Sequence, residues 1–396
     1  MISEKVFKYY ITLSKSRRVS ILKEIIRYDA FINNFSFITK SNKNDRIMIG
    51  VLVKDKEKYT YFYQQNLLII EGKDFNEIID VYRYLNRINL FNDNLFLQLM
   101  YKYLSKEQIK YIKWEYDFTD EYKKIIKDRH YFNFLLGTGV SIDYGSKPWN
   151  LLLEDMTNEI KMLFPTLSIE DIKNYFFANN YAVPQVLKNL DKHRYYDVIY
   201  ESIYKSGLIP LECNLKKIAR HIEKCYYRNI NTCVATFNYD DFLEEELMKM
   251  HVDFGSEYIK LPTINNEIKI KHIHGYLPRD SKTKSGLYLS KYTNSIVLTE
   301  EEYNNAYLDS RKYSYSTLLS FLGKTCLIVG NSLTDYEERK VFRRSKTKNN
   351  TFHFRLVKKS SLEFDLYVSS YLLKIGIITI FFDNYDEIGD YINELL

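Results

Sequence analysis

From residue 131 onward the chain repeats one pattern: a short apolar run, then an amphipathic stretch of helical period. The apolar runs are Phe132–Leu136, Cys233–Thr236, Ile268–Ile273, Thr325–Val329, Phe352–Val357 and Ile377–Phe382. Near-continuous runs of this length read as strands buried on both faces. Helical periodicity covers Trp149–Leu163, Ile169–Phe177, Pro184–Ser206, Leu215–Tyr227, Asp241–Met250, Glu300–Tyr307 and Leu362–Lys374. Ser168, three residues before Asp171, is a capping-box variant for one of these. Strands alternating with helices predict an α/β fold with a doubly wound, Rossmann-like parallel sheet and helices on both faces. The helical stretch over about 150–228 is too long for one crossover. It predicts a helical subdomain inserted beside the sheet.

Residues 1–125 read as a separate α+β region. A basic helical stretch with Lys15, Arg17 and Arg18 leads into a strand marked by Met48, Val51 and Val53. Tyr59–Tyr63 is its expected partner across a charged turn. The charged, aromatic segment Lys113–Arg129 is a connection or entry helix. The expected division is an accessory or regulatory region over 1–125 and a second domain over 126–396. The first region carries no catalytic motif.

Four polar loops follow apolar strands: 137–141, 238–240, 274–275 and 330–335. Ligands of open α/β sheets bind beyond the carboxyl ends of the strands, so these loops should converge on one cleft. That convergence argues for a nucleotide site. The chain has only 13 glycines, yet Gly137 and Gly139 flank a single Thr138. They either let backbone amides and the Ser141 hydroxyl approach a phosphate or form an ordinary tight turn. Asn238 offers a donor and an acceptor together. Asp240 or Asp241 should cap the helix that follows, and Asp240 could also accept from a carboxamide. His272 and His274 project to the same face of a strand. No third ligand accompanies them, and His274, next to Gly275 at the strand end, is the better candidate for the cleft. Asn331 and Ser332 suit a phosphate, a ribose or a helix cap.

Composition narrows the classes. The formal charge of +6 is modest for 396 residues and does not call for nucleic acid. The basic stretch from Arg339 to Lys348 reads as a solvated face. AT-rich coding accounts for the 37 tyrosines. Four scattered cysteines form neither a zinc ribbon nor a disulfide framework. No signal-peptide pattern or apolar run of ~18 residues is present, so a cytoplasmic protein without membrane spans is expected.

Taken in order, these motifs resemble the sirtuin-like NAD-hydrolase domain of bacterial anti-phage defence proteins. Gly137–Ser141 is similar to the family's Gly-Ala-Gly-x-Ser loop, and Trp149–Leu153 to its Trp-x-x-Leu-Leu extension. Thr236–Glu244 resembles Thr-x-Asn-Tyr-Asp-x-x-Leu-Glu, and His274-Gly275 the catalytic His-Gly. Leu298–Glu300 with Tyr303, and Gly330–Asp335, complete the set over about residues 131–396. The resemblance implies NAD as substrate and no metal, with Asn238 and His274 catalytic. Gly137, Thr138, Gly139, Ser141, Trp149, Thr236, Asp240, Gly330, Asn331 and Ser332 would bind the cofactor. Asn238 would orient water or ribose, Asp240 the carboxamide, and His274 would act as general base. Thr138 departs from the family alanine and adds bulk where the cofactor passes. The Asp-Phe-Arg and four-cysteine zinc module of deacetylating sirtuins are absent, which argues against protein deacylation. The expected protein is a regulated NAD-depleting effector, a homo-oligomer or one switched by a partner or phage component through its N-terminal region. The alternatives are a non-catalytic NAD or ADP-ribose sensor and a residual deacylase or ADP-ribosyltransferase.

Overall fold

The computed structural model describes residues 131–396 apart from 167, 169, 172–180, 257–267, 309–310, 350 and 394–396. Before these it describes 36–41, 47–52, 68–70 and isolated positions between 10 and 103. Two compact units form, Met1–Ile126 with Phe342–Phe381, and Lys127–Val341 with Phe382–Leu396.

In the amino-terminal region β1 (Ser36–Ser41), β2 (Ile47–Leu52) and β3 (Leu68–Ile70) make an antiparallel sheet. The described partners of β2 are thus residues on both sides of it, Ser36–Ser41 and Leu68–Ile70. Residues 59–63, expected as its partner, and 113–129 lie outside the described residues.

The main sheet has seven strands. They are β4 (Tyr131–Leu136), β5 (Asn231–Thr236), β6 (Phe254–Ser256), β7 (Ile268–His272), β8 (Leu327–Val329), β9 (His353–Lys358) and β10 (Ile377–Phe382). Their order is β10-β9-β8-β4-β5-β7-β6. The pairings of β4 with β5 and β8, and of β7 with β5 and β6, are parallel. Phe134, Leu135, Val234, Ala235, Ile328 and Val329 are fully buried, as strands covered on both faces require. All six expected strands are present. The three-residue edge strand β6 is too short to show as an apolar run.

Between β4 and β5 lie α1 (Trp149–Leu163), α2 (Ala182–Leu190), α3 (Lys192–Tyr204) and α4 (Asn214–Tyr227), the inserted helical layer. The single helix expected over 184–206 is two. Asp191 breaks it by adopting extended backbone and accepting the Arg194 N–H at 2.9 Å, a side-chain N-cap. Ser168 accepts the Asp171 N–H as its sequence suggests, and residues 172–177 of the expected helix lie outside the described residues. The chain continues through α5 (Phe242–Lys249), α6 (Glu300–Tyr307), α7 (Tyr313–Phe321), α8 (Tyr336–Asn349), α9 (Leu362–Lys374) and α10 (Ile388–Asn393).

Helix α8 carries the basic stretch, and Arg343, Arg344 and Lys348 are exposed on it. Lys346 departs from the expected solvated face. It is buried, and its ammonium donates to Glu24 and to the carbonyls of Leu373 and Lys374. There it neutralises the carboxyl end of α9. Among the described residues no helix is long and apolar enough to cross a membrane.

Candidate active site at the strand ends

Register decides which loops can meet. Leu136 lies level with Thr236 and with Val329, and Thr236 level with His272. The carboxyl ends of β8, β4, β5 and β7 therefore form one row. The loops that begin at Gly330, Gly137, Phe237 and Ile273 leave it side by side.

The two glycine loops pack backbone against backbone. A Cβ on Gly137 would come within 2.7 Å of Asn331 Cα, and one on Gly139 within 2.8 Å of Gly330 Cα. Gly330 sits at φ +70, where any side chain is strained. The Gly137 and Gly139 N–H groups donate to the carbonyls of Val329 and Gly330. The close approach that the glycines permit is thus an approach between loops. Asn331 shapes its own loop, accepting the Leu333 N–H at 2.7 Å and donating to Glu338 at 3.2 Å. Ser332 is exposed, and its hydroxyl is 2.9 Å from that of Thr334.

The loop after β5 is built differently. Thr236 Oγ1 accepts the Asn238 N–H at 3.0 Å, which turns the chain directly after the strand. The Asn238 amide donates to Gly137 O at 3.2 Å and to Ser141 Oγ at 2.9 Å. Its Oδ1 is buried with no partner. A buried acceptor without a donor is costly, and such a group is expected where a ligand supplies the missing hydrogen bond. Asp240 is also buried, and burial pushes its carboxyl up to about 7 against the opposing hydrogen bond from Ser141. Asp241 occupies the N-cap position of α5, yet its side chain does not cap the helix. It accepts the Tyr204 hydroxyl at 2.7 Å and the Arg279 N–H at 3.0 Å instead. Asp240 makes the local contact, accepting the Phe242 N–H at 3.4 Å.

The two histidines after β7 have separate surroundings. His272 lies between Glu244 and the main chain of Asn238. His274 is 5% exposed, and burial holds its pKa down at about 4, so the ring is neutral near pH 7. Its Nε2 is 2.7 Å from the Tyr307 hydroxyl, and its Nδ1 3.4 Å from that of Tyr303. Phe237 meets the ring edge-on, with centroids 4.8 Å apart. Tyr303 and Tyr307 lie one turn apart on α6 and so share a face. Thr299 and Glu302 close a reciprocal capping box at the start of that helix. Glu302 also receives Lys188 from α2 and the Tyr195 hydroxyl from α3, which docks α6 on the helical layer.

A row of rings continues outward. Tyr181 packs on Tyr303 with centroids 3.9 Å apart, and its hydroxyl donates to Asp335 at 2.7 Å. Trp149 stands 6.3 Å beyond Tyr181. Asn238, Ser141, Asp240, His274 and Gly137–Gly139 are therefore gathered at one edge of the sheet. Trp149 stands at the far end of the row of rings, against Tyr181. Thr138 is half-exposed on the glycine loop. Tyr181 and Tyr307 belong to none of the motifs read from the sequence. Tyr307 was signalled by its spacing from Tyr303; one tyrosine among so many, 154 residues from Asp335, gave no signal for Tyr181.

Residues 232–376 match the family profile of the SIR2-like domain. The matched segment contains Asn238, His274 and Gly330, and begins after the Gly137–Ser141 loop. No curated protein matches the chain. Among solved structures the chain is similar to "a Sir2 homolog–NAD complex", at 12% identity and TM-score 0.38, covering 70% of this chain and 91% of that one. A structure described as the basis for the mechanism and regulation of Sir2 enzymes is similar at 9% identity and TM-score 0.39, over 70% and 96%. Sir2 bound to acetylated peptide is similar at 10% identity and TM-score 0.37, also over 70% and 96%. Tyr200, Glu201, Tyr204, Lys205 and Arg279 line an open pocket of about 520 Å³. It contains none of the residues expected to bind a ligand.

Proposed function

We propose that the protein is an NAD glycohydrolase, cleaving NAD with water to nicotinamide and ADP-ribose. The observation that carries the reading is the pairing of an unsatisfied, buried Asn238 Oδ1 with a neutral, buried His274 at adjacent strand ends. The SIR2-like match over this segment points to the dinucleotide as substrate. In the reaction the bond between ribose C1′ and the pyridinium nitrogen breaks, and its electron pair neutralises the departing nicotinamide. Water adds at C1′, and its proton passes to a base.

The leaving group needs little assistance, so the protein's task is to bind, orient and deprotonate. Asn238 Oδ1 accepts from the attacking water or a ribose hydroxyl. His274, uncharged above about pH 4, is able to take a proton as general base. Its Nδ1 is the freer nitrogen, because Tyr303 stands at 3.4 Å while Tyr307 holds Nε2 at 2.7 Å. A substrate hydroxyl takes the place of the Tyr303 hydroxyl. Asp240 accepts from the carboxamide, and Gly137, Thr138, Gly139, Ser141, Trp149, Thr236, Gly330, Asn331 and Ser332 form the walls. No metal enters the reaction.

Unregulated hydrolysis would drain the cell's own cofactor. We therefore assign the protein to anti-phage defence as an effector held off in the cytoplasm until infection, with control through residues 1–125 and through self-association or a partner. Purified protein incubated with NAD, with and without lysate of phage-infected cells, tests both parts by chromatography. Nicotinamide with ADP-ribose supports hydrolysis, and a cyclic product indicates a cyclase instead. Tight binding of unchanged NAD under both conditions favours a sensor and overturns the reading.

A further inference from the structure

His272 is buried, and the proposed reaction does not use it. Its Nε2 is 2.7 Å from Glu244 Oε1, and its Nδ1 is 3.0 Å from the main-chain oxygen of Asn238. A main-chain carbonyl can only accept, and an ionised carboxylate can only accept. Both ring nitrogens therefore meet acceptors. A neutral imidazole has one N–H, so it would turn a lone pair toward one of these oxygens. Only the doubly protonated ring donates to both. Glu244 and His272 are each 1% exposed, so neither charge has water to lean on.

The surrounding groups agree. Asp240 adds a second carboxyl near the ring, and the Tyr276 ring lies against it with centroids 4.4 Å apart. Burial is the largest influence and favours the neutral form, but Glu244, the Asn238 carbonyl and Asp240 together raise the pKa above the ordinary value. The three partners come from three places: Glu244 from α5, Asn238 from the loop after β5, His272 from the end of β7. The contact thus ties the Asn238 backbone, while its side-chain amide grips Gly137 and Ser141.

We propose that Glu244 holds His272 as an imidazolium, and that His272 is a positioning residue whose second N–H clamps the Asn238 carbonyl and so fixes the Asn238 side chain at the strand end. The catalytic half of this statement rests on the proposed NAD cleavage; the ion pair and the clamp do not. The clamp acts on orientation, where a misplacement on the order of 1 Å can cost roughly 100-fold in rate.

The test is nitrogen NMR on the intact chain with labelled histidine and asparagine, His272 being assigned through His272→Gln. The expected spectrum shows both His272 nitrogens protonated throughout the neutral range. In Glu244→Gln the ring becomes neutral and the Asn238 side-chain amide shifts. A His272 ring with one proton at neutral pH in the wild type overturns the ion pair. An unmoved Asn238 amide in Glu244→Gln overturns the clamp. In turnover, Glu244→Gln should lower kcat roughly 10- to 100-fold while KM changes by less than about threefold. The Glu244→Gln/His272→Gln double variant should fall little further than either single change, because both remove one interaction. A change confined to KM contradicts the positioning role. Absence of NAD cleavage in the wild type would refute the proposed reaction while the spectra still decide the ion pair and the clamp.

Discussion

The carboxyl edge of the sheet has two halves that spend their polar groups differently. Beyond β4 and β8, Gly137 and Gly139 donate to the carbonyls of Val329 and Gly330, and Asn331 closes its own turn. Beyond β5 and β7 the accounts stay open, with Asn238 Oδ1 unpaired and His274 neutral between two tyrosine hydroxyls. Position at a strand end is common to both halves. The unpaired Asn238 Oδ1 beside the neutral His274 is what marks the second half as the candidate site.

Substitutions can break this contrast. The largest effect on turnover is expected from His274→Ala and Asn238→Ala, each lowering nicotinamide release by roughly 100- to 10,000-fold. Circular dichroism should show both variants folded. On the supporting side the loss should be in stability instead. Gly330→Ala puts a Cβ 2.7 Å from the Val140 nitrogen at a left-handed backbone position. It should cost more than about 2 kcal/mol, read as a lower Tm.

Helix α6 gives a finer test. Tyr307→Phe removes the 2.7 Å partner of His274 Nε2 and should reduce kcat roughly 5- to 10-fold, the worth of one neutral hydrogen bond. Tyr303→Phe removes a contact of 3.4 Å to His274 and should leave kcat within about twofold of wild type. Equal losses would erase the distinction between an anchored and a free ring nitrogen.

The smallest expected effect is in the pH profile. Asp240 is charged only above about 7, whereas His274 is already neutral above about 4. If the carboxylate holds the carboxamide, turnover rises as pH increases through about 7 and falls as pH drops below it. Asp240→Asn should remove that step. A limb that persists near pH 7 in Asp240→Asn would assign it to another group.

Much of this was legible in the sequence. The strand ends at Leu136, Thr236 and Val329 were fixed by where apolar runs stop, and the polar residues that follow then had to share one edge. The break at Asp191 was missed because helical periodicity runs through it; only the local capping geometry of an aspartate before Lys192 separates the two helices. The sequence leaves the glycine loop open to a phosphate or to an ordinary tight turn, whereas what presses on it is Gly330 and Asn331, a contact made by distant residues. The same holds for Asp241. Aspartate before a helix reads as a cap, yet the Tyr204 hydroxyl and the Arg279 N–H claim its oxygens. Non-local competition for one side chain leaves no mark in the neighbouring residues.

The central claim is that Asn238 and His274 form an NAD-cleaving pair. Chromatography of NAD incubated with wild-type protein and with His274→Ala, each with infected-cell lysate added, tests it most directly. Equal amounts of nicotinamide and ADP-ribose from the wild type, and neither from the variant, are the predicted result. Intact NAD with the wild type, or equal release by His274→Ala, would contradict it.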